Sequence, residues 1–151
     1  MGKAFYDNAE HLLNYVLRTR GKFHSYIQSD HLSMDIDKKG QLLNIEVGLD
    51  KVSWVVRDDL TVPTEVPLRK LRFPDYRLDI ECEEYFTNDS KDMLYIRFAE
   101  DKHVKTYEIA ENLFADVNLV SELAGFWLLG VDEDYGFKKE MAFRRGGKAK
   151  G

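Results

Sequence analysis

Leu32-Ser33-Met34-Asp35-Ile36-Asp37-Lys38-Lys39-Gly40-Gln41-Leu42-Leu43-Asn44-Ile45-Glu46-Val47 is the stretch that decides the fold. Apolar and polar residues alternate on both sides of the turn Lys38-Lys39-Gly40-Gln41, the period of a half-buried strand pair. Pairing Ile36 with Leu43, Met34 with Ile45 and Leu32 with Val47 places the apolar residues on one face, with Ser33, Asp35, Asn44 and Glu46 on the other. A slip of one residue would destroy this separation, so the register is specified.

Moved 81 positions along the chain without a gap, residues 22–50 fall on residues 103–131 with the same alternation. Tyr26 lies over Tyr107, Leu32 over Leu113, Asp35 over Asp116 and Leu42 over Leu123. These four identities carry less weight than the shared pattern, which implies an internal duplication. In the second copy, residues 93–98, 104–109, 113–117 and 122–131 are β-prone and closely spaced, so they read as an antiparallel meander.

The remaining segments are expected to differ. Asp7 and Glu10 have capping-box spacing, Phe5, Ala9, Leu12 and Val16 recur at helical intervals, and Gly21 follows Arg18 and Arg20, so a helix is expected over residues 7–20. Extending the repeat backward instead lays Leu13 on Leu94 and Leu17 on Phe98, which would make residues 12–18 a strand. Residues 52–57 and 76–86 read as further strands. The stretch between them holds all three prolines, Pro63, Pro67 and Pro74, and is expected to pass over the surface. Asp134 is placed to cap a short helix through Phe137, Met141 and Arg144. The expected fold is therefore α+β and mainly β: a duplicated antiparallel β-meander with an amino-terminal helix and a short carboxyl-terminal helix.

The segment Asp92-Met93-Leu94-Tyr95-Ile96-Arg97-Phe98, then Thr106-Tyr107-Glu108-Ile109, Ala115-Asp116-Val117 and Leu123-Ala124-Gly125-Phe126, resembles a family of short prokaryotic domains of unknown function. That family is built on a strand reading acidic, x, Leu-Tyr-Ile-Arg. Residues 34–47 resemble the closing half of the same pattern. The second copy departs from it, with Asn118-Leu119-Val120-Ser121 at the acidic glycine turn and Trp127 where Glu is usual. The resemblance implies a prokaryotic source and transfers no activity or site residue.

At 151 residues and 44% hydrophobic, the chain can enclose one core, so residues 1–143 are expected to form a single domain. Residues 137–151 carry Lys138, Lys139, Arg144, Arg145, Lys148 and Lys150 against Glu140, a balance of +5 on a chain whose remainder is −10. Residues 144–151 are glycine-rich and lack an apolar anchor, which reads as a flexible basic tail. The acidic body repels nucleic acid. No run approaches membrane-spanning length, residues 1–7 lack the apolar stretch of a secretory signal, and Cys82 is the sole cysteine, so a reducing cytoplasm is the expected location.

Candidate chemistry is sparse. Asp35, Asp37, Gly40 and Glu46 match EF-hand positions, but Lys39 stands where an oxygen ligand belongs and the flanks alternate as strands. An acidic turn closed by Gly40 explains the same letters. His11, His24, His31 and His103 have no metal-ligand spacing. Asp79, Glu81 and Glu83 alternate as one wetted strand face, with Glu84, Asp89 and Asp92 following. No residue is assigned a catalytic, cofactor-binding or metal-ligating role. The leading expectation is a non-enzymatic interaction module that binds a protein partner or itself as a homodimer, with no membrane. The alternatives are a small hydrolase with a carboxylate and histidine site, or nucleic-acid binding through the basic tail.

One asymmetry sharpens this expectation. The register that opposes Ser33 and Glu46 opposes Phe114 and Trp127 in the second copy, on a face that also carries Leu123 and Leu129. Both faces of the second hairpin should be covered, and only one face of the first. The covering candidates are the amino-terminal helix, the Trp54 strand or a second protomer.

Overall fold

The hairpin around Gly40 closes on the alternation that its sequence dictates, with one bulge. In a computed structural model that describes residues 2–17, 21–69, 71–72, 77–79, 83–98, 100 and 103–133, strands β4 (Leu32–Ile36) and β5 (Leu42–Val47) pair antiparallel. Leu32 opposes Val47, Ser33 opposes Glu46 and Met34 opposes Ile45 as expected; a bulge after Asp35 then sets Ile36 opposite Leu42 in place of Leu43. Around this pair lie β1 (Ala4–Asp7), β2 (Leu12–Val16), β3 (Ser25–Gln28) and β7 (Arg77–Asp79), giving a six-stranded sheet of order β1-β2-β5-β4-β3-β7.

The second sheet repeats five of these strands in the same order, and its sixth lies at the opposite edge. Strands β11 (Leu113–Asn118) and β12 (Leu123–Leu129) pair residue for residue as β4 and β5 do, including the bulge after Asp116. With β9 (Met93–Arg97), β8 (Glu84–Thr87), β10 (Val104–Ala110) and β6 (Val55–Val56), the order is β10-β11-β12-β9-β8-β6. Within the five shared strands the 81-residue offset fails only at β3 and β10. Tyr26 opposes Asp35, whereas Thr106 opposes Asp116, because a bulge between Glu108 and Ala110 inserts one residue. The counterpart of Tyr26 is therefore Thr106, and the Tyr26 and Tyr107 identity does not mark equivalent positions.

The turns repeat as well. Asp37 Oδ1 accepts the backbone N–H groups of Lys39 and Gln41 at 2.9 Å each, and Asn118 Oδ1 accepts those of Val120 and Glu122 at 3.1 and 2.8 Å. Gly40 and Ser121 occupy the same left-handed position, with φ of 80° and 64°.

The expected amino-terminal helix is absent: residues 4–16 form the β1–β2 hairpin. Asp7 does accept from the backbone of Ala9 and Glu10, at 2.9 and 3.2 Å, but as the head of a tight turn. An aspartate bonds the N–H groups two and three residues on in an Asx turn much as at a helix N-cap, so the capping-box spacing does not separate the two. Leu13 and Tyr15 point into the core, as the strand reading of residues 12–18 requires. The sole helical element among the described residues is a 3₁₀ turn, Lys51–Ser53, so the fold is β throughout them and the α+β expectation is corrected. The expected carboxyl-terminal helix, from Asp134 onward, lies outside the described residues, as do Cys82, Glu81 and the basic tail.

Two more expectations change. Residues 52–57 supply only the two-residue strand β6 after the 3₁₀ turn, and residues 76–86 divide into β7 and β8, which belong to different sheets. The pairings β3·β7 and β6·β8 are parallel, while every other strand pair is antiparallel.

The sheets pack face to face over one continuous core. It draws Tyr6, Leu13, Tyr15, Ile27, Met34 and Ile45 from the first sheet and Leu94, Ile96, Leu113, Phe126 and Leu128 from the second. Each half also sends an arm to the other's sheet. After β5 the chain leaves the first sheet and β6 pairs with β8 in the second; after β12 it leaves the second, and Asp132 bridges Phe5 of β1 in the first. Trp54 sits on the first arm, buried edge-on against Tyr6 at 5.5 Å, and its Nε1 donates to the Leu49 carbonyl.

Candidate functional site

The two halves share a backbone and differ on their outer faces. In the second sheet one cross-strand row runs Val55, Phe86, Tyr95, Trp127, Phe114, Glu108 and Leu68, each residue opposite the next. The matching row of the first sheet runs Phe5, Asn14, Glu46, Ser33 and Gln28. One outer face is thus an aromatic ladder, the other mostly polar.

The rings of the ladder touch. Tyr95 stacks on Trp127 with centroids 4.0 Å apart and planes 15° from parallel, and Phe86 lies 6.2 Å from Tyr95. The Arg57 and Arg97 guanidinium groups each lie 4.9 Å from the Phe86 centroid, positions suited to cation–π attraction. Each is also paired with a carboxylate, Arg57 with Asp59 and Arg97 with Glu84 at 2.7 Å. The hydrogen bond from Arg57 holds the exposed Asp59 carboxyl below the usual carboxylate range.

Asp116 braces the ladder from within. It is buried, and its carboxyl accepts from Thr106 Oγ1 at 2.6 Å, Tyr95 Oη at 3.2 Å and Trp127 Nε1 at 3.2–3.3 Å. These donors come from β10, β9 and β12, so the carboxyl fixes three strands' side chains at once. Burial, and then Asp116, raise the Tyr95 phenol well above its ordinary range. With both oxygens taken by side-chain donors, Asp116 is engaged as a positioning group and is not presented as a free base. Gly125, opposite Asp116, makes room for Tyr95: a Cβ there would lie 3.2 Å from the Tyr95 ring.

A strap of chain covers this face. Backbone bonds anchor it at Arg57, which donates to the Thr87 carbonyl at one sheet edge, and at Pro67 and Arg69, which bracket Glu108 at the other. Between them Leu60 and Val66 pack onto Met93, Phe114 and Trp127. From the β6 edge to Leu68 the strap crosses six inter-strand spacings, about 29 Å, well within the roughly 40 Å reach of twelve residues. Phe114 and Trp127 are each only 7% exposed, so the second hairpin is covered on both faces. The cover is the proline-containing excursion, and neither a helix nor the Trp54 segment.

The other candidates scatter. Asp35 accepts from the Asn44 amide at 3.1 Å, Asp37 closes its turn, and Glu46 lies in β5, so the EF-hand letters make no cage; among the described residues no group of acids, histidines or cysteines could hold a metal. His11 contacts Asp50 at 3.2 Å and His31 stands edge-on to Tyr85 at 6.3 Å, while His24 donates its backbone N–H to Ile36. Glu83 accepts from Ser29 Oγ at 2.6 Å and from Tyr85. Asp92 is held below the usual range by the Asn88 amide. A cavity of about 310 Å³ is lined by Gly2, Tyr15, Leu17, Ile109, Ala110 and Glu111, with one carboxylate and no histidine. Sequence reading did not foresee the strap contacts, the two arginines on Phe86 or the Asp116 brace. A signal existed for the last, since Asp116 interrupts the apolar run Leu113-Phe114-Ala115 and Val117. No helix among the described residues is long and apolar enough to cross a membrane. No protein-family model matches the chain, and no curated protein matches it at a significant level.

Proposed function

We propose that the protein is a non-enzymatic interaction module of the prokaryotic cytoplasm that binds a protein partner on the outer face of its second sheet. The observation that carries this reading is the aromatic ladder, whose Tyr95, Trp127 and Phe114 are replaced in the other half by Asn14, Glu46 and Ser33, with Phe5 alone keeping a ring at the position of Phe86. Rings and arginine are the side chains that protein interfaces favour. Val55 and Leu68 end the row and are 53% and 72% exposed, so apolar surface is offered at both sides of the strap. The described cavity does not unite the histidine and carboxylates that a hydrolase reading needs.

Affinity capture from native lysate tests the proposal. Val55→Asp and Leu68→Asp change exposed side chains, so each should leave the melting temperature in place and reduce capture about tenfold. Leu119→Asp and Val120→Asp, at the exposed β11–β12 turn, should capture normally. Full capture by the first pair would overturn the assignment. Solution mass distinguishes a second copy of the chain from another protein.

A further inference from the structure

Resting on that reading of the outer face, we propose that residues 58–66 are an intramolecular ligand. They occupy the partner's site, and the partner segment that replaces them shares their chemistry: an acidic residue, then an aliphatic one, then a proline, then a second aliphatic. The strap itself supplies this pattern as Asp59, Leu60, Pro63 and Val66.

The strap is held by side chains alone. Among the described residues no backbone hydrogen bond joins residues 58–66 to the sheet, whereas both of its ends are so anchored. Leu60 and Val66 make its apolar contacts, and Asp59 pairs with Arg57 at the Phe86 end of the row. Asp58, Thr61, Thr64 and Glu65 are exposed, and Glu65 has a left-handed φ of 52°, an uncommon conformation for a residue with a side chain. Few buried contacts and a solvated backbone are the marks of a segment that opens locally below the global unfolding free energy. Pro63 removes one donor and fixes its own φ, which favours an extended ligand-like chain.

The face beneath does not depend on the strap. The Asp116 brace takes all its donors from the sheet, and the main core contains no residue of 58–66. Removing the strap leaves the rings in register with their hydrogen bonds made. The groove is therefore preorganised for an extended chain of the same kind, which lowers the ordering cost of binding.

A labelled synthetic peptide of residues 57–69 and acrylamide quenching test this on the full chain. Both tryptophans are buried in the closed protein, Trp54 in the core and Trp127 under the strap, so quenching should be low. In Leu60→Ser/Val66→Ser the strap is released. One of the two tryptophans should become quenchable, and the peptide should bind about tenfold or more tighter than to the parent, in which the tethered strap competes. A second variant carries a protease site at Thr64 and is cut after folding, which separates release from folding; it should behave the same way. Collapse of both variants would mean that the strap is core and would overturn the proposal. So would folded variants in which Trp127 stays shielded or the peptide does not bind. Peptide binding together with undiminished capture by Val55→Asp and Leu68→Asp would retire the functional reading alone, whereas lost capture without peptide binding would retire the strap.

Discussion

Gly125 is where the two halves diverge most sharply. Its counterpart Asn44 carries a side chain that reaches Asp35, while Gly125 carries none and Tyr95 takes the space. A Cβ at Gly125 would lie 2.5 Å from the Ile96 carbonyl oxygen, which is backbone and gives way only if the strand moves. Gly125→Ala should therefore destabilise the protein by about 1–3 kcal/mol through overpacking. Gly48 is the control, because its nearest atoms would be Leu12 Cδ1 at 3.8 Å and the His31 carbonyl at 3.9 Å, an ordinary contact. Gly48→Ala should be neutral or stabilising by up to about 1 kcal/mol, since alanine restricts the unfolded chain. Denaturant midpoints of both variants check the pair, and equal shifts would contradict the steric account. At this scale the sequence was partly legible. The opposition of Phe114 and Trp127 followed from register, but the Asp116 brace did not, because its donors arrive from strands that only the folded topology brings together.

Elements were legible where period and turn chemistry agreed. The β4–β5 and β11–β12 hairpins carry alternation on both sides of a turn, and both formed; residues 7–20 carried a helix-like spacing of polar residues over a strand-like alternation of Leu13 and Tyr15, and burial decided for the strand. Local hydrogen bonding from Asp7 serves either outcome, so it carried no information about which would win. The repeat held the missing evidence, since β2 shifted by 81 positions lands on β9 end for end. The same comparison yields a prediction at the turns. Ser121 holds a φ of 64° at the position that Gly40 fills in the first copy. A side chain in the left-handed region costs roughly 1–2 kcal/mol, part of which glycine returns as unfolded-state entropy. Ser121→Gly should raise stability by about 0.5–1 kcal/mol, and Gly40→Ala should lower it by at least as much. Thermal melts of the two variants moving in the same direction would show that the turns are not equivalent.

Across the whole molecule, the exchange of arms between sheets makes the halves interdependent, and composition and periodicity carry no trace of it. The strand between Tyr76 and Phe86 read as one element because nothing in its pattern marks a change of sheet. What the composition does foretell is a core containing phenols. Burial raises Tyr15, Tyr85 and Tyr95 well above the ordinary tyrosine range, with a smaller rise at Tyr6. A group whose folded pKa lies above its unfolded value contributes stability that is complete below the unfolded pKa and is lost as pH rises toward the folded one. Unfolded tyrosine ionises at ~10, so stability should be flat through neutral pH and fall steeply only above about pH 10. Three such phenols give a slope of up to about 4 kcal/mol per pH unit. The carboxylates act at the opposite end: Asp92 and Glu133 are depressed by hydrogen bonds, so their smaller contribution is present at neutral pH and lost as pH falls through their folded values. Alkaline unfolding followed by circular dichroism, with tyrosinate absorbance recorded in parallel, checks the larger effect. The share of the ionisation that belongs to Tyr95, read as the difference between the parent and Tyr95→Phe, should appear with unfolding and not before it, because a buried phenol cannot reach its charged form inside the sandwich. Tyr95→Phe removes one of the three and should reduce the alkaline slope by about a third. Tyr95 tyrosinate, isolated by that difference, that forms while the β signal is intact would show that water already reaches this ring, and would count against a closed ladder.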